Sequence, residues 1–286
     1  MRLQGATALL TGASGGLGAH LARALAGRGA HVALSGRNEA ALASLRDELR
    51  ASGVRCEAVV ADLADVAQAA ALVARAEEAI GPLDLLVNNA GVESAGAYAQ
   101  MEPEDVGAVV AVNLLAPMLV TRAALQRMQR RGRGHVVTVA SLAGKGGVPF
   151  DVPYATTKAG LVGLTRSLRA ELHGSPVGIS VVCPGFVAGD GMYARMAALG
   201  VRAPRALAPV EPGRVTAAVL DAVERDRPEV LVTALPMRPL LAVQELAPRV
   251  AERIVLGLGT ARFFEGLAER RRRADILQPP PDPTPE

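Results

Sequence analysis

Tyr154 and Lys158 stand four residues apart in a stretch, about Pro153 to His173, whose pattern predicts a helix, so their side chains share one face. An ordinary phenol has a pKa of about 10, and its phenolate is scarce near neutrality. Lowering that value by about 2–3 units takes roughly 3–4 kcal/mol of preferential stabilisation of the phenolate. A close ammonium in a partly desolvated cleft supplies a share of it, and the pair can then pass a proton to or from an oxygen. Ser141 ends a predicted strand upstream, and its hydroxyl can hold that oxygen. Composition singles the pair out. Of 31 basic residues only Lys145 and Lys158 are lysines, and Tyr154 alone of three tyrosines is paired with one.

The elements that must position these groups alternate along the chain. Apolar strands are predicted at Ala6–Thr11, His31–Ser35, Val54–Val60, Leu83–Val87, His135–Ala140, Val177–Val182 and Glu229–Thr233. A first helix runs to Arg28 and stops at Gly29, which suits a left-handed cap. Further helices are predicted at Glu39–Ser52 (opened by Asn38), Asp65–Ile80, Pro103–Asn113, Leu114–Arg131 and Pro212–Arg225, besides the one carrying Tyr154. Strand–helix alternation of this kind means βαβ units: an α/β fold with a Rossmann-type doubly wound parallel sheet and helices on both faces. Residues 1–235 form that domain, 236–274 a helical C-terminal extension, and 275–286, rich in proline, a tail expected to be disordered.

Between the first strand and the first helix lies Thr11-Gly12-Ala13-Ser14-Gly15-Gly16-Leu17-Gly18. Glycines there let the backbone approach a pyrophosphate, and the helix N-terminus offers free N–H groups and the positive end of its dipole. A dinucleotide is the expected ligand, and an oxidised nicotinamide ring would add positive charge beside the Tyr154 phenol.

With this turn the chain begins to resemble the short-chain dehydrogenase/reductase family, and the resemblance continues through residue 185 and more loosely to about 233. The turn reads T-G-x-x-x-G-x-G; Asn88-Asn89-Ala90-Gly91 matches the family's N-N-A-G, and Tyr154 to Lys158 its Y-x-x-x-K. Asn113 falls where the family has its catalytic Asn, and Pro184-Gly185 matches the P-G turn after the sixth strand. The resemblance implies an oxidoreductase that moves a hydride between a nicotinamide cofactor and a ketone, aldehyde or secondary alcohol. In it Tyr154 is general acid or base, Ser141 positions the oxygen, Lys158 binds the ribose and lowers the Tyr154 pKa, and Asn113 holds a water of the proton relay. Gly12, Ser14, Gly16, Leu17, Gly18, Asp62, Leu63, Asn89, Ala90, Gly91, Pro184 and Gly185 are expected around the cofactor, with Asp62 at the adenine. By analogy the family's fourth and fifth helices, near 103–131 and 153–173, pair copies into a homodimer or homotetramer.

Ser35-Gly36-Arg37 follows the second strand with no carboxylate before Glu39, so a ribose 2′-hydroxyl finds no acidic partner there. Arg37, a cation beside a helix N-terminus, instead suits a 2′-phosphate, and NADP is preferred over NAD. Gly15 stands where the family often carries a second basic residue.

The segments 142–152 and 186–207 should frame the substrate, with Val148, Phe150, Phe186, Met192 and Tyr193 as an apolar lining. An apolar ketone, aldehyde or alcohol is favoured. A β-ketoacyl thioester is the alternative, and a non-catalytic cofactor sensor is disfavoured because Ser141, Tyr154 and Lys158 are all present. A net charge of +3, much of it in Arg270–Arg273, and 2% aromatics argue against a nucleic-acid surface. The four histidines lack ligand spacing, so no metal is expected. Two unpaired cysteines suit a reducing, cytoplasmic setting. No spanning helix or targeting segment is expected. In the extension Leu240, Val243, Leu246, Val250, Ile254 and Leu258 recur at helical spacing, and Pro248 should divide the stripe into two helices. That stripe either packs over the substrate cleft or, with Phe263, Phe264 and the arginine run, rests peripherally on an anionic membrane.

Overall fold

A computed structural model describes residues 1–277 except residues 190 and 258. The segment 278–286, most of the expected proline-rich tail, lies outside the described residues. Strands β1 (Thr7–Thr11), β2 (His31–Gly36), β3 (Cys56–Val60), β4 (Leu85–Asn88), β5 (Gly134–Val139), β6 (Val177–Pro184) and β7 (Glu229–Val232) form one parallel sheet. Their order is β3-β2-β1-β4-β5-β6-β7. The order reverses between β1 and β4, which opens a crevice at the carboxyl ends of these strands, where such sheets take ligands. Both faces of the sheet are covered, so strands such as β1 and β4 are buried at every position and read as continuous apolar runs.

Helix starts follow local chemistry. Helix α2 (Glu39–Ala51) opens at Asn38, whose side chain accepts a bond from the Ala41 N–H. Helix α3 (Val66–Ile80) opens at Asp65 in the same way. Helix α1 (Leu17–Gly27) differs, for its cap is Gly16 and no side chain satisfies its first N–H groups.

The two helices expected around Asn113 are one. Helix α4 (Pro103–Val110) and helix α5 (Ala116–Arg131) join through a π turn at Ala111–Leu115 into a continuous 29-residue helix. Pro117 has no N–H for the carbonyl of Asn113 four residues back, and the Ala116 N–H reaches Ala111 instead. By length and composition this helix could cross a bilayer. Its apolar side, including Val120, Ala124 and Met128, is nevertheless buried against the sheet and α3.

Helices α6 (Val152–Glu171), α7 (Met192–Ala198) and α8 (Pro212–Glu224) complete the domain. The extension holds α9 (Arg238–Leu246), α10 (Pro248–Gly257) and α11 (Thr260–Leu277). Pro248 separates the first two as expected, whereas α11 runs three residues beyond the expected end at 274. Phe263, Phe264 and Leu267 are buried with Met196 and Val201, and Phe186 meets both phenylalanine rings at 5.3 and 6.2 Å between centroids. The aromatic pair is thus spent on the protein's own packing, while Leu246, Val250, Ile254 and Leu256 of the extension are exposed.

His135 on β5 is buried with Nε2 at 2.9 Å from the Ser180 hydroxyl, and burial pushes its pKa down to about 4. An unfolded histidine binds a proton near 6.5, so between about 6.5 and 4 the unfolded chain holds the extra proton. That contribution to stability is present above the interval and lost as pH falls through it. Asp151, raised to about 6 by burial, acts with the opposite sign over a similar range. The readout is therefore a difference. Relative to His135→Gln, the wild type should lose up to about 3 kcal/mol of stability from pH 7 to pH 4 in denaturant titrations; parallel pH profiles would contradict this.

Candidate active site

The turn after β1 is built for close backbone approach. A Cβ on Gly18 would lie 1.9 Å from the Gly12 carbonyl oxygen, and one on Gly12 would lie 2.7 Å from the Ala90 Cα. Gly16 has φ 48, a conformation glycine takes without strain. The N-N-A-G segment clamps this turn: the N–H groups of Asn89 and Ala90 donate to the Thr11 hydroxyl at 3.0 and 3.1 Å. The Asn89 side chain is spent on the carbonyls of Thr11 and Gly12, and that of Asn88 on Thr121. Uncapped N–H groups over a cradle without Cβ atoms fit a pyrophosphate.

One cleft of about 1540 Å³ runs from this turn across the strand ends to the extension. Single small-molecule sites are usually about 300–1,000 Å³, so this one has room for a dinucleotide and a second ligand. Gly12, Ser14, Gly16, Leu17, Gly18, Arg37, Asp62, Leu63, Asn89, Ala90, Gly91, Pro184 and Gly185 all line it. Arg37 is exposed just past the end of β2, next to Gly36, which lies against the Ser14 hydroxyl. The Asp62 carboxylate accepts from the Ala64 N–H, a contact that helps turn the chain toward α3.

At mid-cleft α6 brings Tyr154 and Lys158 to Ser141, which follows β5. The Lys158 ammonium donates to the Val139 carbonyl at 3.2 Å and lies 5.6 Å from the centre of the Tyr154 ring. A Cβ on Gly91 would come within 3.3 Å of it, so the N-N-A-G glycine makes room for this group. Ser141 Oγ accepts from the Ala143 N–H at 3.1 Å, which leaves its O–H to donate elsewhere.

Asn113 is held behind the N-N-A-G loop, near Gly91. It is fully buried, and its carboxamide bonds the main chain of Val92 in both directions at 2.8 Å. Its side chain holds the loop after β4 and is not part of the cleft wall.

Burial also governs ionisation. It pushes the Tyr154 phenol up to about 12, opposed in part by a hydrogen bond with Ser141, and pushes the Lys158 ammonium down to about 8. The same burial strips water from both groups and disfavours the charged form of each. The arrangement holds a neutral phenol with a proton to give beside an ammonium that is still charged near neutrality.

Val148, Phe186, Met192 and Tyr193 line the cleft as expected. Phe150, with φ 57, is not among the lining residues and packs against the cluster of Met196 and Phe263. Two neighbours of the site lacked any sequence signal. Asp151 Oδ1 accepts from the N–H and hydroxyl of Ser94, and the Ser94 oxygen in turn accepts from the Tyr154 N–H, so a buried acid anchors the start of α6. Glu93 lines the same cleft and pairs with Arg271 of α11. The extension adds a roof, with Leu240, Leu241, Val255 and Phe264 facing the cleft.

The family model for short chain dehydrogenase matches residues 6–198. The ketoacyl reductase HetN of Nostoc sp. is 39% identical over 274 residues, 94% of each chain, so that similarity includes the roof helices. The granaticin polyketide synthase putative ketoacyl reductase 1 of Streptomyces violaceoruber is 42% identical over 63% of this chain and 67% of its own. Among solved structures, a variant of actinorhodin polyketide ketoreductase with NADPH superposes with a TM-score of 0.72 at 32% identity, covering 80% of this chain and 96% of that one.

The crowded turn gives a direct test. Gly18→Ala forces a methyl group into the Gly12 carbonyl, so the turn must open. The rise in melting temperature expected from a nicotinamide dinucleotide, tested with NADPH and NADH, should shrink severalfold, because only a bound native state is stabilised. An undiminished rise would contradict the turn's assignment.

Proposed function

Because this chain belongs to the short-chain dehydrogenase family, we propose that it reduces the keto group of a 3-oxoacyl substrate with an apolar chain, using NADPH. The chain is a nicotinamide-dependent oxidoreductase; the substrate, the cofactor preference and the residue roles are the proposal. The observation that carries it is the neutral Tyr154 phenol held beside Lys158 and Ser141 between a phosphate-ready turn and an apolar roof. Two relatives named ketoacyl reductases, one aligned through the roof helices, support the substrate class.

The Ser141 O–H donates to the carbonyl oxygen and fixes it against the Tyr154 hydroxyl. Bound NADPH supplies the hydride. As negative charge grows on the carbonyl oxygen, Tyr154 gives it a proton. The Lys158 ammonium keeps one N–H on Val139 and has two more, one set for the nicotinamide ribose hydroxyls and one that supports the phenolate left behind. Asn113 steadies the loop that carries Gly91, so that this pocket for the ammonium persists.

Arg37, exposed in the cleft wall without an acidic neighbour on its strand end, supports a 2′-phosphate and hence NADPH over NADH. Val110, Leu115 and Met118, exposed along α4 and α5, support assembly of copies across that face. Cys56 and Cys183, free and buried, are in keeping with a reducing, cytoplasmic setting.

Tyr154→Phe keeps the ring and removes the proton, so turnover of a 3-oxobutanoyl thioester should fall about 10²-fold or more with an unchanged melting temperature. Near-normal turnover would refute the role. Arg37→Ala should bring the kcat/KM values with NADPH and NADH close together by raising KM for NADPH; an intrinsic NADH preference untouched by the change would refute the cofactor reading.

A further inference from the structure

Glu93 stands two residues beyond the N-N-A-G glycine, in the wall between the cleft and the roof. Its side chain is only 6% exposed. Oε1 is held by two cations, Arg271 of α11 and, at 3.4 Å, Arg195 of α7. Oε2 is out of water and accepts no hydrogen bond from any described residue. A carboxylate oxygen in that state is costly, since a buried acceptor left without a donor forfeits the water it gave up. The two arginines do not relieve this cost, because both engage the other oxygen.

The surroundings hold the carboxylate in place. Asn113 fixes Val92 on one side of Glu93, and Asp151 fixes Ser94 on the other. Arg270 of α11 donates to the Leu199 carbonyl at 2.8 Å, so neighbouring arginines tie the roof to α7 and to Glu93 together. Glu93 and Tyr154 line the same cleft.

We propose that Glu93 binds substrate: its free oxygen accepts a hydrogen bond from an O–H or N–H of the 3-oxoacyl substrate, and Arg271 is the positioning residue that aims it. The inference rests on the 3-oxoacyl reading and adds a polar requirement to an otherwise apolar pocket. A site built around such an acceptor discriminates strongly against an analogue without the donor, which leaves the acceptor unpaired. The donor has two possible sources in this substrate class, a hydroxyl on the acyl chain or an amide N–H on the thioester arm.

Two matched substrate pairs separate the sources. One is the 3-oxobutanoyl thioester of N-acetylcysteamine against its N-methyl amide counterpart. The other is ethyl 4-hydroxy-3-oxobutanoate against ethyl 3-oxobutanoate. In one pair the wild type should favour the donor-bearing member by about tenfold in kcat/KM, mostly through KM, as expected for a hydrogen bond to a charged group. Glu93→Ala should bring that ratio close to one, and Arg271→Met should lower it through a rise in KM for the donor-bearing member. Should Glu93→Ala fail to melt cooperatively, Glu93→Gln decides. It keeps an acceptor oxygen without the charge, and the ratio should fall about threefold or more. Turnover of both pairs without preference, or a preference that survives these changes, overturns the role of Glu93 and leaves the ketoacyl reading intact. No turnover of any of the four by the wild type overturns both.

Discussion

Lys158 places an ammonium almost wholly out of water, and much of the site is arranged around that cost. One of its protons goes to the Val139 carbonyl at the end of β5. Gly91 has no side chain because one would press on the ammonium, and Gly144 has none because its Cβ would fall 2.5 Å from the Lys158 carbonyl carbon. The loop carrying Gly91 is held by Asn113, and the π turn that presents Asn113 coincides with Pro117, which cannot complete an α-helical ladder. A buried charge with donors to spare at the cleft wall favours an oxygen-rich ligand there. That preference links the phosphate-ready turn at one end of the cleft to the proton chemistry in the middle.

The same burial changes what the tyrosine can be. In water a nearby ammonium would make a phenol more acidic. Here burial pushes the Tyr154 phenol up to about 12, opposed in part by a hydrogen bond with Ser141. A protonated phenol suits reduction, where the proton must be given. Oxidation would need the cofactor's positive charge to bring the value down again.

Features that depend on local pattern could be read from the sequence. The strands, the Asn38 and Asp65 caps, the Gly-rich turn and the Tyr154–Lys158 spacing follow from periodicity, turn chemistry and helix geometry over a few residues. The break at Pro248 was equally plain. What could not be read depends on contacts far apart in the chain. Glu93 meets Arg271 across 178 residues, and Asp151 meets Ser94 across 57, and neither spacing has a period. The joining of α4 and α5 was missed because a proline at that point reads as a helix start. Phe150 looked like a lining residue by position, but it packs against the cluster of Met196 and Phe263. The amphipathic stripe of the extension has no partner in its own sequence, and the packing of Phe263 and Phe264 against Phe186 comes from contacts more than seventy residues away.

The account's central claim is that this cleft moves a hydride from NADPH to the keto carbon of a 3-oxoacyl group. The most direct measurement follows the hydrogen itself. NADPH deuterated at the transferring C4 position is incubated with the protein and a 3-oxobutanoyl thioester, and the product is analysed by mass spectrometry. The account predicts one deuterium per molecule of 3-hydroxybutanoyl product, bound to the hydroxyl-bearing carbon. A product without deuterium at that carbon, or no product while simple ketones are reduced, would contradict it.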